Sequence, residues 1–442
     1  MENLASYNEE WIGSFLANKD YITKRSVLKN MSNFVRKDGA HLVKMVPIPL
    51  IMQEQVFNGL AQAADLIVEA QTKILSTLCN EFNHEQLLDM FDLAPDFVDF
   101  VDWEELIENN NMIARFDIIP SADGYHFCEF NFGSPIGGCE EGFCHTQYID
   151  QLDLPSNHPK PIPRFEMAEF FKPLIEQKNI DNIVLLSMRS HRFIGYFSLE
   201  HFRSELEKVF PNLSVTIHDE VSYPKSLLGP GKGLNTLVYR MFVADDVCEN
   251  LYFFTSLWQS QATVVNSFES EIRGNKKWLS MFHSARFRQC LDEKELAAID
   301  QYIPETLSLA ENELTSFLDA KEDYVFKFEN SFGGKGIVFG DQETVEDLKK
   351  RIYSTGQQNW SAQKRIVSTQ LDVPHTIKGE IQSHHTVLGM IIVGNHHMGM
   401  NIKLSRSNRI VNVSSGEALT GWAFPMSEQA KKEIIAALPS KG

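Results

Sequence analysis

Two short triplets hold residue types that can do chemistry together. Arg115-x-Asp117 lies within Asn111-Met-Ile-Ala-Arg-Phe-Asp-Ile-Ile-Pro120, and Glu129-x-Asn131 within Tyr125-His-Phe-Cys-Glu-Phe-Asn-Phe132. Both stretches read as strands, joined by the turn Ser121-Ala-Asp-Gly124. Strand side chains alternate faces, so the members of each triplet's outer pair point the same way. Whether the two pairs share a face depends on the turn. A three-residue loop with Gly124 in the left-handed position pairs Ser121 with Tyr125. Asp117 then faces Glu129, and Arg115 faces Asn131. A two-residue loop puts the pairs on opposite faces. In the first register two carboxylates sit about 5 Å apart, which is costly unless a cation intervenes. One or two Mg²⁺ ions held by Asp117, Glu129 and the amide oxygen of Asn131 would remove that cost, and would leave positions for water and phosphate. Arg115 could neutralise charge on a transferring phosphoryl group. The alternative is a surface hairpin with Arg–Asp and polar cross-strand pairs.

A second group lies near the C-terminal end. Lys327 sits in the strand Tyr324-Val-Phe-Lys-Phe328, and Gly333, Gly334, Lys335 and Gly336 form a loop. Backbone N–H groups of such a loop can wrap phosphate oxygens, with the two lysines adding point charge. Further on, Ala362-Gln-Lys-Arg-Ile-Val367 reads as a strand whose backbone could pair with an adenine edge; Gln363, Lys364 and Ile366 fall here. The plain alternative is a glycine-rich hairpin with solvated lysines. A third group, Ser187-Met-Arg-Ser-His-Arg192, follows an apolar strand. Arg189 and Ser190 stand where α/β sheets tend to bind ligands, and Arg189 could pair with a substrate carboxylate; a solvated loop is the alternative.

These residues need elements to hold them. Residues 1 to about 108 read as a helical layer, with Val56–Leu78, His84–Phe91 and Trp103–Ile107 as helices. The proline-rich stretch 151–163 reads as a linker. Ile183–Ser187, Leu213–His218, Thr236–Phe242 and Ala262–Asn266 read as strands, with helices at Leu199–Phe210 and Val247–Gln259. That is the βαβ rhythm of a parallel sheet. Helices are expected over roughly 274–319, including Glu293–Tyr302 and Leu307–Leu318. Ile337–Phe339 reads as a strand and Thr344–Tyr353 as a helix. Val387–Val393, Gly399–Leu404 and Ile410–Val413 read as a final antiparallel set.

Composition bounds the function. The 442 residues suggest two or three domains at roughly 150 residues each. Lys plus Arg total 41 against 59 Asp plus Glu, a net charge of −18, which disfavours nucleic acid or a membrane surface as the main partner. No signal peptide or membrane span is evident, and the six cysteines do not read as a disulfide framework, so a cytoplasmic protein is expected. The Walker phosphate loop, G-x-G-x-x-G opening a helix, H-E-x-x-H and G-x-S-x-G are all absent. Cys139, Cys144 and His145 lack a fourth zinc ligand. The adjacent pairs His384-His385 and His396-His397 point to opposite faces of strands.

In their order the segments ARFDII, CEFNFGSPIGG, LVYRMF, VVNSFESEIRGNKKWL, YVFKFENSFGGKGIVFG, SAQKRIV and GMNIKLSRSNRIVNVSSGEA resemble the circularly permuted ATP-grasp superfamily, as in glutathionylspermidine synthetase-like and related peptide and amide ligases. The resemblance covers about 110–420. It implies an α/β (α+β) fold: a helical region over 1–108, metal-binding strands over 109–150, a βαβ substrate domain over 164–272, and an ATP-grasp domain over 273–442 with a lid at 321–367. It implies Arg115 as the catalytic, transition-state-stabilising residue, and Asp117, Glu129 and Asn131 as Mg²⁺ ligands. Lys276, or its neighbour Lys277, and Lys327 would contact ATP phosphates beneath the Gly333–Gly336 lid, with the backbones of Lys364 and Ile366 on adenine. The family places Arg where Lys403 stands, so the late phosphate contact falls to Lys403 or to Arg406. The implied reaction joins a carboxylate to an amine (an amino acid, peptide or polyamine) through an acyl-phosphate, using ATP and Mg²⁺. A homodimer is compatible with this reading. The rival readings are a nucleotide-binding regulator or scaffold without turnover, and a kinase releasing a stable acyl-phosphate.

Overall fold

A computed structural model describes residues 4–17, 44–108, 113–133, 136–137, 142, 145, 167–191, 196–329, 336–374, 380–406, 409, 411 and 418–438. The stretch 151–163, Cys139, Cys144 and Gly333–Lys335 lie outside the described residues, as does Ile410–Val413 apart from Val411.

The N-terminal region is helical in part. Helices span Leu4–Ala17, Glu54–Glu81, His84–Met90 and Glu105–Glu108. The long one buries Leu60, Ala64, Ile67, Ile74 and Leu78, the spacing of one apolar face. Two short strands, β1 (Lys44–Met45) and β2 (Leu50–Gln53), correct the all-helical reading. Pro47 and Pro49 cannot sit inside a helix, while Leu50, Ile51 and Met52 are all buried, as in a strand covered on both faces.

The hairpin follows as β3 (Ile113–Pro120) and β4 (Tyr125–Phe132). Next come β5 (Asn182–Ser187), β6 (Ser214–His218), β7 (Thr236–Met241) and β8 (Thr263–Val265), a parallel sheet in the order β6-β5-β7-β8. Its strands are apolar runs, as burial on both faces requires. The single helix expected over Val247–Gln259 is two, Ala244–Glu249 and Leu251–Gln259. They meet at Asn250, whose backbone leaves the helical region (φ −132°, ψ 37°).

A small antiparallel sheet, in the order β11-β10-β12-β9, comprises β9 (Thr306–Ser308), β10 (Tyr324–Phe328), β11 (Ile337–Phe339) and β12 (Trp360–Lys364). The helix expected at Leu307–Leu318 is replaced by β9 and a 3₁₀ stretch, Leu314–Asp323. Ser308 and Asn312 explain the change. The Ser308 hydroxyl accepts from the Ala310 N–H (3.2 Å), and the Asn312 amide donates to the Ser308 carbonyl (2.9 Å); such local bonds compete with helix. The helix Val345–Ser354 is N-capped by Thr344, whose hydroxyl accepts from the Asp347 N–H (3.1 Å).

The chain closes with β13 (Gln370–Pro374), β14 (Ile381–Val393), β15 (His396–Ser405) and β16 (Leu419–Met426). They join the hairpin in the largest sheet, β1-β16-β15-β14-β3-β4, with β13 also on β14 and β2 also on β16. The antiparallel set foreseen at the C-terminus thus extends through β3 and β4, while β1 and β2 add parallel edges to β16. Strand β16 escaped the sequence reading because Gly421 and Pro425 interrupt its pattern.

Two apolar cores result. One runs from the Leu4–Ala17 helix through the large and parallel sheets. The other is confined to the small sheet and its helix, around Leu314, Phe326, Leu348, Ile352 and Ala362. A separate core permits separate opening. Ile352→Ala should destabilise by about 2–5 kcal/mol, and hydrogen exchange should rise in β9–β12 while β14 and β15 keep their protection. Equal loss of protection in both sheets would show a single cooperative unit.

Candidate active site

The hairpin reaches the register required for a site by an unexpected route. Pro120 pairs with Tyr125, leaving a four-residue loop, closed by the Ser121 N–H on the Gly124 carbonyl (2.7 Å). Gly124 has φ 153°. This corrects the three-residue loop. Continued unchanged, the pairing would separate the functional pairs. A bulge between Asp117 and Ile118 restores them: Ile118 faces Phe127, Asp117 faces Glu129, and Arg115 faces Asn131. Cys128 is the extra residue. Its thiol donates to the Asp117 carbonyl (3.4 Å), and its own carbonyl accepts from Lys327 Nζ (2.8 Å). The irregularity therefore sets the register and seats a cation.

Charge gathers around this pair of positions. Arg115 Nε donates to Asp117 Oδ1 (2.6 Å) and its Nη2 to Oδ2 (3.2 Å). Lys403, on β15, reaches Asp117 Oδ2 (2.9 Å), and Lys276 reaches Glu129 Oε1 (2.8 Å). The Asn131 amide donates to the Arg115 carbonyl (3.3 Å). Burial alone would raise the Asp117 carboxyl, but the charges of Arg115 and Lys403 hold it down at about 2. Burial also works against ionisation of Glu129, and the Lys276 charge overcomes it, lowering the group. Burial lowers both Lys327 and Lys403 and pushes the Cys128 thiol up to about 12, so the thiol stays protonated and unreactive. Four cations thus face two carboxylates.

Each cation is aimed by its surroundings. Lys276 follows the short helix Glu269–Arg273. Arg273 is buried, with its guanidinium on the Leu106 carbonyl and on Gln71. The Asn275 amide donates to the Phe91 carbonyl (2.9 Å). With both neighbours held, Lys276 points to Glu129, while Lys277 turns to the Met90 carbonyl (2.6 Å) and Asp92 (2.7 Å). The position next to Glu129 is therefore Lys276. Lys403, not Arg406, reaches Asp117; Arg406 donates to Gln382 (3.0 Å). Lys327 is buried on the middle of the small sheet.

The other candidates are placed differently. Gly336 accepts from the Phe328 N–H (2.8 Å) beside β10. Gln363 is buried and donates to Thr306 Oγ1 (2.9 Å). The Lys364 N–H is taken by the Glu305 carbonyl (2.8 Å), and its ammonium lies 4.8 Å from the centre of the Tyr324 ring. Lys364's N–H is therefore not open to a base edge, whereas Ile366 lies past the end of β12. Arg189 and Ser190 are outside the charged cluster, at the end of β5. Arg189 Nε pairs with Asp219 (3.2 Å), and its N–H donates to Glu220 (2.7 Å). A large cavity of about 1560 Å³, walled by residues such as Phe100, Trp258 and Glu269, shares no residue with the cluster.

Sequence reasoning missed Glu329. Two residues beyond Lys327, it is buried, accepts weakly from Ser280 (3.4 Å), and is pushed up to about 7 by burial. The Lys-x-Glu spacing, with Glu329 just past the end of β10, was the available signal.

No family model matches the chain, and no curated protein sequence matches it. Solved structures are similar to it. A glutathione synthetase-like effector from Globodera pallida, in its apo form, matches over 94% of this chain and 97% of its own length, with a TM-score of 0.53 at 11% identity. A provisionally assigned gamma-glutamylcysteine synthetase from Methylobacillus flagellatus covers 84% of this chain and 94% of its own, with a TM-score of 0.42 at 8% identity. The first likeness shows a shared fold, that of a glutathione synthetase-like protein. Among the described residues no helix is long and apolar enough to cross a membrane, and no three His, Cys, Asp or Glu side chains converge as a metal site.

Asp117 is buried and holds two partly buried cations, so Asp117→Asn should destabilise by about 3–5 kcal/mol at neutral pH. Its carboxyl lies near 2 when folded and near 3.9 when unfolded. The stabilisation is therefore present above about pH 4 and lost as pH falls towards 2. Urea unfolding of both proteins should show the gap narrowing by about 2.6 kcal/mol over that interval. A gap independent of pH would mean that the ion pairs are not its source.

Proposed function

We propose that the chain is an ATP-dependent carboxylate–amine ligase of the permuted ATP-grasp type. The observation that carries this reading is the charge surplus at the hairpin: Arg115, Lys276, Lys327 and Lys403 around Asp117 and Glu129. Like charges 4 Å apart repel by about 4 kcal/mol at an effective dielectric constant of 20. A polyanion such as a triphosphate relieves that repulsion, and a lone carboxylate substrate does so only in part. The order of the quoted sequence segments and the ligase-like fold support the same reading.

The donor set also suits magnesium. Two ionised carboxylates on directly paired positions and a neighbouring amide are hard oxygen donors. Asp117, Glu129 and the Asn131 amide oxygen would hold the ion, which when bound supplies charge neutralisation at the phosphates. The rest falls to this chain's own groups. Lys276, Lys327 and Lys403 hold phosphate oxygens, with Lys276 and Lys403 exchanging a carboxylate partner for a phosphate one. Arg115 balances the charge that builds as a substrate carboxylate oxygen attacks the terminal phosphorus and the bond to the bridging oxygen breaks, releasing ADP. An amine then attacks the acyl carbon. The carbon–oxygen bond to phosphate breaks, phosphate departs, and the amine's proton leaves with it. Positioning and charge account for most of such catalysis. The loop Gly333–Gly336 would cover the triphosphate, and the backbone near Ile366 would meet the adenine.

Incubation with ATP, Mg²⁺ and pooled amino acids, peptides and polyamines should release ADP and phosphate and yield a new mass equal to acid plus amine minus water. Arg115→Ala should lower turnover by on the order of 10²–10³, and Glu129→Gln should abolish it. ADP without an amide would indicate a kinase. Nucleotide binding with no ADP from any pool would indicate a regulator and overturn the ligase reading.

A further inference from the structure

Gly389 lies on β14 directly opposite Asp117, with Asn401 on its other side. Its φ is not in the left-handed region, so the backbone there does not call for glycine. Glycine within a strand weakens it. The reason for its presence is space. A Cβ built on Gly389 would lie 2.6 Å from Arg115 Cδ, 2.9 Å from Cγ and 3.2 Å from Nε. Arg115 bends along its own strand to reach Asp117, and its stem passes through the volume a side chain would fill.

Lys403 comes to Asp117 from the other side of β14. This lysine stands on β15 opposite Val387, and β14 separates it from β3. Two strand spacings are about 9–10 Å, yet Lys403 Nζ lies 2.9 Å from Asp117 Oδ2. Its side chain therefore reaches diagonally across β14 to Asp117.

We propose that Gly389 is a positioning residue: its missing side chain opens the trough in which Arg115 lies, and any side chain there displaces the guanidinium from Asp117. The kinetic part of this proposal rests on the ligase reading; the structural part does not.

The test compares Gly389→Ala, Arg115→Ala and the double variant. With ¹⁵N-arginine labelling, the Arg115 Nε–H signal is identified by its absence from Arg115→Ala. In the unsubstituted protein this partly buried, ion-paired N–H should exchange slowly with water. In Gly389→Ala its exchange should rise at least tenfold. In turnover, Gly389→Ala should lower kcat by about tenfold to 10² with the KM for ATP within about twofold. In the Arg115→Ala background the same substitution should cost less than twofold. Should Gly389→Ala fail to fold, the double variant, which lacks the obstructing stem, should fold again. Unchanged Nε–H exchange in Gly389→Ala, kinetic losses that multiply in the double variant, or a double variant that stays unfolded would each overturn the proposal. If the unsubstituted protein releases no ADP with any pool, the ligase reading fails, and the exchange measurement still decides the role of Gly389.

Discussion

The ion pairs on Asp117 are the constraint around which the rest is arranged. A buried carboxylate is costly unless paired, and here the partners come from different parts of the chain. Arg115 is a near neighbour on the same strand, and Lys403 comes from β15, across β14. Glu129 takes Lys276 from the segment after the parallel sheet, and the Cys128 carbonyl takes Lys327 from the small sheet. The large sheet thus delivers two cations to a single hairpin, and the small sheet and the flank of the parallel sheet one each. Cations crowded in this way are tolerated only where the backbone holds them, which explains the firm anchoring of the neighbours: Arg273 and Asn275 are both buried and hydrogen-bonded to main-chain carbonyls. The fold does more than bring the groups close; it keeps them from relaxing apart.

What the sequence disclosed follows from which physical rules are local. Alternation along a strand is local, so the facing of Asp117 and Glu129 was legible once a register was chosen. The bulge at Cys128 was not, because a cysteine among apolar residues looks like any strand position. The expected register held only because two departures, a longer turn and an extra residue, offset one another. The choice between Lys276 and Lys277 rests on Arg273 and Asn275 reaching Leu106 and Phe91, contacts far apart in the chain. Arg189 had the right address at the end of β5, yet its carboxylate partner, Asp219, comes from the end of the neighbouring strand, which no local pattern reveals. The helix expected at Leu307–Leu318 failed for a local reason after all: Ser308 and Asn312 bond to the backbone they would need to leave to the helix.

The division into two cores bears on how such a site would work. The large sheet holds Arg115, Asp117, Glu129 and Lys403 within one continuous apolar framework. Lys327 belongs instead to the small sheet, whose core is its own. The links between them at the site are polar: Lys327 on the Cys128 carbonyl, and Ser280 on Glu329. Apolar packing is insensitive to ligand charge, whereas a charge-assisted bond to a neutral carbonyl is readily exchanged for one to an anion. An anion arriving between the sheets therefore meets one side that is rigid and one side whose attachment it can replace. That asymmetry favours a site in which the hairpin fixes geometry and the small sheet responds to occupancy. Lys327, like Lys403 on the large sheet, is a point charge that can change partners by rotating its stem, while the guanidinium of Arg115, bidentate on Asp117, is tied to one partner's plane.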